Sequence, residues 1–166
     1  FTSSIAPYGK SRDKVNELSP IYPETAYGIS KSIAEQLHIS WTKELDSRRL
    51  IIVRPAVIYG PKDPGNIYRM IRAIKQGFFM LPGRGDIVKS YGYIYGLIDS
   101  ILFVMKKSEK IIIYNYSESP MLKLNELVKE IKSELNINGI TFKIPIILLV
   151  LISYIIQVIC KIIGKS

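Results

Sequence analysis

From Arg49 to Val53 the chain reads Arg-Leu-Ile-Ile-Val, and Pro55 follows almost at once. An apolar, Ile-rich run of this kind suits a strand buried on both faces of a parallel sheet. The proline ends its hydrogen bonding, and Tyr59-Gly-Pro61 begins a loop. Helical patterns lie on both sides of this strand in sequence. Pro23-Glu24-Thr25 opens a helix that runs to about Asp46, Asn66 to Gln76 forms a shorter one stopped by Gly77, and Leu97 to Lys107 forms a third. Lys89 to Ile94 and Lys110 to Tyr116 read as strands, Leu81 to Asp86 as a turn, and Lys123 to Leu135 as an amphipathic helix. Strands alternating with helices in this way indicate an α/β fold.

The chain has 166 residues, 48% of them apolar and 22% charged, which is ordinary for a globular protein with a real core. The single Cys160 excludes an internal disulfide framework and a cysteine zinc site, and no metal site is expected. Net charge is +9, concentrated in the second half, which suits an anionic partner such as nucleotide phosphates or a membrane surface. The basic residues are dispersed and form no DNA-reading module, so no nucleic acid is expected as a partner. The chain opens on Phe1-Thr-Ser-Ser4, without Met or a basic leader, and reads like the end of a buried strand. It is therefore expected to be a fragment.

The helix over 23–46 carries apolar residues at Ala26, Ile29, Ile33, Leu37, Trp41 and Leu45, a stripe at helical spacing. Tyr27 and Lys31 lie off that stripe and, four residues apart, point the same way. An ammonium near a phenol favours the phenolate, which makes a general base able to take a proton from a hydroxyl. The spacing alone is common in helices, and its neighbours give it weight. His38, the only histidine, reads as a structural residue of the same helix.

Three motifs fall in order: Ser-Ser-x-x-x-Tyr-Gly at 3–9, Tyr-x-x-x-Lys at 27–31, and Arg-Pro-x-x-x-Tyr-Gly-Pro at 54–61. Together with Leu81-Pro-Gly-x-Gly and Tyr114-Asn-Tyr-Ser, they make residues 1–135 resemble the extended short-chain dehydrogenase/reductase superfamily. The likeness is to its NAD-dependent nucleotide-sugar epimerase/dehydratase branch. The resemblance implies the C-terminal part of a Rossmann-like, doubly wound parallel sheet plus a smaller substrate-binding α/β region. It implies NAD or NADP as cofactor, a nucleotide-sugar as substrate, a homodimer when full length, and a cytoplasmic enzyme of polysaccharide biosynthesis. Ser4, Tyr27 and Lys31 would be catalytic, with Tyr27 as acid/base and Lys31 bonded to the nicotinamide ribose. Pro55, Ala56 and Val57 would line the nicotinamide pocket, while Arg54 and Lys89 would meet substrate. Lys89 stands where the family often has arginine and would act as a point charge toward a diphosphate.

The departures are informative. Sugar dehydratases of the family place Asp-Glu directly after the catalytic Ser/Thr, and decarboxylases keep the Glu. Here Ile5 and Ala6 occupy those positions and can do neither job. Epimerisation or simple carbonyl reduction is left. Gly96 stands where the family has an Asp cap on the following helix. The Gly-rich turn of a dinucleotide fold is absent, and at roughly 30 residues per βαβ unit about a hundred preceding residues are expected.

Residues 1–61 are thus expected to end the dinucleotide-binding domain, 62–142 to form the substrate region, and 143–166 an apolar tail. Over 144–160 the tail is apolar but for Ser153, Tyr154 and Gln157, and Lys143 and Lys161 flank it. It suits a helix packing on the missing part of the protein and a membrane-associated element equally well. An NAD(P)-dependent dehydrogenase of a steroid-like or other lipophilic alcohol is a second reading, and a non-catalytic NAD(P)-binding scaffold a third. The intact Ser4, Tyr27 and Lys31 argue against the scaffold.

Overall fold

The computed structural model describes residues 1–11 and 14–162. The chain forms two units interleaved in sequence: Phe1–Lys62 with Ser90–Pro120, and Asp63–Lys89 with Met121–Ser166. Sequence alone suggests three consecutive blocks. Strand pairing makes the difference, because it returns residues 90–120 to the first unit and ties the tail to the second.

In the first unit, β1 (Leu50–Pro55) pairs in parallel with β5 (Ile111–Tyr116), from Leu50 opposite Ile111 to Pro55 opposite Tyr116. Thr2 adds a parallel bridge to Val53. Successive residues of a strand face opposite sides, and both Ile52 and Val53 are buried. β1 is therefore covered on both faces, as its apolar run predicts, and α1 (Ala26–Lys43) and α3 (Ile94–Met105) both pack against it. A second parallel pair joins β2 (Val57–Tyr59) to β4 (Tyr91–Tyr93).

α1 begins at Ala26 because the Thr25 hydroxyl accepts the Gly28 N–H at 3.0 Å, satisfying one orphan donor of the first turn. Its apolar stripe does not face this core. Ile29, Ile33, Leu37, Trp41 and Leu45 are exposed, while Gly28, Ser32, Glu35 and Thr42 form the buried face. The inward face is small and polar because it meets the Ala6 backbone at Gly28 and carries Glu35 of a buried ion pair with Arg54. α3 starts earlier than its pattern suggests, with Tyr93 as its cap residue. Gly96 thus sits inside the first turn and caps nothing. A Cβ there would lie 2.3 Å from the Tyr116 hydroxyl.

In the second unit, α2 (Asn66–Lys75) packs against α4 (Leu124–Glu134). Ile74, Leu81 and Val128 form the core between them, flanked by Met70, Phe79, Leu124, Ile131 and Ile137. The Leu81 segment is not only a turn: β3 (Met80–Pro82) pairs in parallel with β6 (Phe142–Ile144). β6 leads into α5 (Ile146–Ile162), whose Ile147, Leu148, Val150, Leu151, Ile152 and Ile155 are exposed around its circumference. The Lys161 side chain lies outside the described part. Among the described residues, no helix is long and apolar enough to cross a membrane.

Candidate active site

Thr2, β1 and β5 run parallel, so their carboxyl ends lie on one edge of the sheet. In open α/β sheets that edge is where ligands bind. Ser4 follows the Thr2 bridge directly, and Pro55 to Val57 follow β1. The two segments are joined by backbone: Ser3 N donates to the Val53 carbonyl at 2.7 Å and Ile5 N to the Pro55 carbonyl at 3.1 Å. Ala56 N donates in turn to the Tyr116 carbonyl at 2.9 Å. Pro55 and Ala56 are buried, while Val57 is exposed at the edge.

Past Ser4 the chain makes a single 3-10 turn, Ala6–Tyr8, and the half-buried Ser4 Oγ accepts the Ala6 N–H at 3.1 Å. The hydroxyl hydrogen of Ser4 remains free to donate. The N-terminal turn of α1 comes hard against this segment at Gly28. A Cβ there would lie 2.8 Å from the Ala6 carbonyl oxygen, so only glycine permits the approach. Gly9 plays a related part, with φ +70° and the Tyr22 carbonyl where a side chain would stand.

Tyr27 lies beside Gly28 in that first turn, 56% exposed and open to a ligand. Lys31 Nζ donates to the Thr2 carbonyl at 3.0 Å and stands 5.8 Å from the Tyr27 ring centroid and 5.1 Å from that of Phe1. An ammonium has three donors, so Lys31 keeps hydrogens for a further acceptor. Ser4, Tyr27, Lys31 and Pro55 to Val57 thus belong to one unit and, by these bonds, to one edge of it. A half-buried cation with spare donors, an exposed phenol and an open strand end fit the ribose and ring of a dinucleotide.

Arg54 is placed elsewhere. It is only 3% exposed, and its guanidinium forks onto Glu35, with Nε to Oε1 at 2.9 Å and Nη2 to Oε2 at 2.6 Å. Nη1 donates to the Tyr8 hydroxyl at 2.7 Å, and that hydroxyl donates to Asn115 Oδ1 at 3.0 Å. Hydrogen bonding to Glu35 outweighs burial and holds Arg54 above its ordinary pKa. With its three nitrogens engaged and buried, Arg54 faces the interior, where its motif suggests a substrate contact. It braces the interior instead. Lys89 belongs to the second unit and is exposed on the segment before β4.

Glu35 and Ser3 are the residues that sequence reasoning passed over. Ser3 Oγ donates to Glu35 Oε1 at 2.5 Å, and both are buried. Two signals were available: Glu35 stands four residues after Lys31 on the same helix, and Ser3 directly precedes Ser4. His38 stacks on Phe1, with ring centroids 4.5 Å apart. Among the described residues no cluster of His, Cys, Asp or Glu could hold a metal ion.

A family model described as "NAD dependent epimerase/dehydratase family" matches residues 1–116. A relative from Escherichia coli O157:H7, N-acetyl-alpha-D-glucosaminyl-diphospho-ditrans,octacis-undecaprenol 4-epimerase, is 35% identical over 168 residues, covering 100% of this chain and 51% of its own length. The chain therefore spans about half of that relative. Among solved structures, UDP-glucuronic acid 4-epimerase from Bacillus cereus in complex with NAD matches with TM-score 0.74 and 18% identity, over 87% of this chain and 48% of that one. A Pseudomonas aeruginosa protein complexed with NADPH matches with TM-score 0.71 and 23% identity, over 87% and 53%. These likenesses establish the fold as part of a Rossmann-type α/β architecture.

Proposed function

The chain belongs to the NAD-dependent epimerase/dehydratase family, and on that premise we propose that it carries the proton-transfer half of an epimerase acting on a diphosphate-linked sugar. The single observation that carries the reading is Lys31, which stands by Tyr27 and binds the Thr2 carbonyl two residues before Ser4. Bound NAD or NADP supplies the hydride acceptor and donor. Tyr27 takes the proton of a sugar hydroxyl and later returns it, while Ser4 donates a hydrogen bond to the same oxygen. Lys31 uses its spare donors on the ribose. Pro55, Ala56 and Val57 shape the floor beneath the ring. Inversion would require the sugar to present its other face to the ring while Tyr27 and Ser4 again hold the reacting oxygen. Ile5 and Ala6 offer no acid or base beside Ser4, so the elimination of water and decarboxylation have no catalyst there.

A nucleotide-sugar is the primary substrate class. A second carrier is favoured by a specific observation. The apolar α5 is exposed around its circumference, and the E. coli relative, named for a polyprenyl-linked sugar, aligns over the whole of this chain. On that second reading, residues 144–160 rest against the cytoplasmic face of a membrane. The exposed stripe Ile29, Ile33, Leu37 and Trp41 offers a second copy of the chain an apolar face for a homodimer.

The test is turnover by the intact protein. UDP-sugars, undecaprenyl-diphosphate sugars and lipophilic ketones are offered separately with NAD(H) or NADP(H), and the products are resolved by chromatography. Interconversion of C4 epimers on either carrier supports the reading. Reduction of lipophilic ketones with no action on sugars overturns it.

A further inference from the structure

We propose that Glu35 is a positioning residue for the proton-transfer site, acting through Ser3 and Arg54 on the strand end that carries Ser4. The proposal rests on reading Ser4 and Tyr27 as the proton-transfer pair.

Residues 2–5 leave the sheet between four tethers. Lys31 holds the Thr2 carbonyl, Glu35 holds the Ser3 hydroxyl, Val53 holds the Ser3 N–H and Pro55 holds the Ile5 N–H. Two of the four come from the helix that bears Tyr27, from side chains one turn apart. They fix the Ser4 strand end directly against α1, where β1 alone would fix it only against the sheet. Ser4 keeps its own hydroxyl hydrogen for a ligand, since its Oγ only accepts from Ala6.

The Arg54 fork gives this tether its direction. Both carboxylate oxygens of Glu35 are engaged by one planar guanidinium, so the carboxylate cannot turn away from Ser3. Arg54 is itself fixed through Tyr8 to Asn115 on β5. The chain of bonds therefore runs from β5 through β1 to α1 and ends on Ser3. For packing alone, an apolar pair of similar volume serves a core at least as well as a buried ion pair. What the charged pair adds is a directed acceptor 2.5 Å from the residue beside Ser4.

The experiment uses three variants of the intact protein, with amide hydrogen exchange and steady-state kinetics as readouts. Ser3→Ala removes only the hydroxyl. It is expected to speed exchange at the Ile5 amide and to lower kcat about 10- to 100-fold, the scale of a small misplacement, with KM within about twofold. Two paired variants remove both charges together, which buried pairs tolerate. Glu35→Gln with Arg54→Met keeps an acceptor for Ser3 without the fork that directs it, and is expected to hold a kcat between those of Ser3→Ala and the unaltered protein. Glu35→Leu with Arg54→Met has no acceptor and is expected to fall to the level of Ser3→Ala. A merely structural role makes the two paired variants alike, and that result overturns the proposal. Unchanged kcat or unchanged Ile5 exchange in folded Ser3→Ala overturns it as well. Absence of sugar turnover in the unaltered protein strikes the functional reading instead, and the exchange measurement still decides whether Glu35 fixes the strand end.

Discussion

Lys31 Nζ, on α1, donates to the carbonyl oxygen of Thr2 at 3.0 Å. One cation thus ties α1 to the strand end that carries Ser4, and the same cation stands 5.8 Å from the Tyr27 ring centroid. Lys31→Met keeps the stem and removes the charge. It is expected to lower kcat/KM about 100-fold and to weaken cofactor binding measured by calorimetry. Stability should change by about 1 kcal/mol, since only one exposed hydrogen bond is lost. Unchanged cofactor affinity would remove Lys31 from the binding site.

Gly28 yields a prediction of opposite sign to the usual rule. In an ordinary helix interior, Gly→Ala stabilises by about 1 kcal/mol. Here the added Cβ would meet the Ala6 carbonyl oxygen at 2.8 Å. Gly28→Ala is therefore expected to destabilise by about 1–3 kcal/mol and to lower kcat, because it pushes Tyr27 away from the Ser4 segment. Urea unfolding of the variant checks the sign, and a stabilised Gly28→Ala would show that α1 does not approach this closely.

Arg54→Lys separates an interior brace from a substrate contact. A lysine cannot reproduce the two parallel bonds to Glu35. A stability loss of about 1–3 kcal/mol is expected, with reduced kcat and unchanged KM for the sugar. A raised KM with unaltered melting temperature would return Arg54 to the substrate.

Tyr116 gives a pH prediction. Burial first, and then the hydrogen bond to Glu118 at 2.8 Å, push its phenol up to about 12. The unfolded chain loses this proton near the ordinary tyrosine value of about 10, whereas the folded chain keeps it. The contribution to stability is thus complete below about pH 10 and is lost as pH rises through about 12. Tyr116→Phe should flatten the alkaline fall in stability between those values, and ultraviolet titration should lose its latest phenolate. A titration without that late phenolate would contradict the assignment.

How much of this was legible in the sequence depended on which force dominated at each position. β1 was legible because burial on both faces demands an unbroken apolar run, and Leu50 to Val53 supply it. The start of α1 at Pro23-Glu24-Thr25 and the placing of Tyr27 one turn before Lys31 were legible because they depend on local spacing along one helix. The buried face of α1 was not. An apolar stripe ordinarily faces the core, but this helix turns Ser32, Glu35 and Thr42 inward against partners distant in sequence. Glu35 was hidden for the same reason, since a carboxylate in a helix reads as solvated until Arg54 is brought to it. β2, β3 and β6 were missed because three residues carry little periodicity of their own, whereas β4, equally short, lies inside the longer readable run Lys89 to Ile94. Arg54 reads from its motif as a substrate contact and stands bonded to Glu35 and Tyr8, since a motif records which residue is present and not which way it faces.

The central claim is proton transfer by Tyr27, and Tyr27→Phe in the intact protein measures it most directly. The substitution keeps the ring and removes only the hydroxyl. Epimer interconversion should fall by about 10²- to 10⁴-fold while NAD or NADP binding, followed by calorimetry, is retained. Turnover at the unaltered rate with cofactor still bound would contradict the account, because the phenol would then have no part in the reaction.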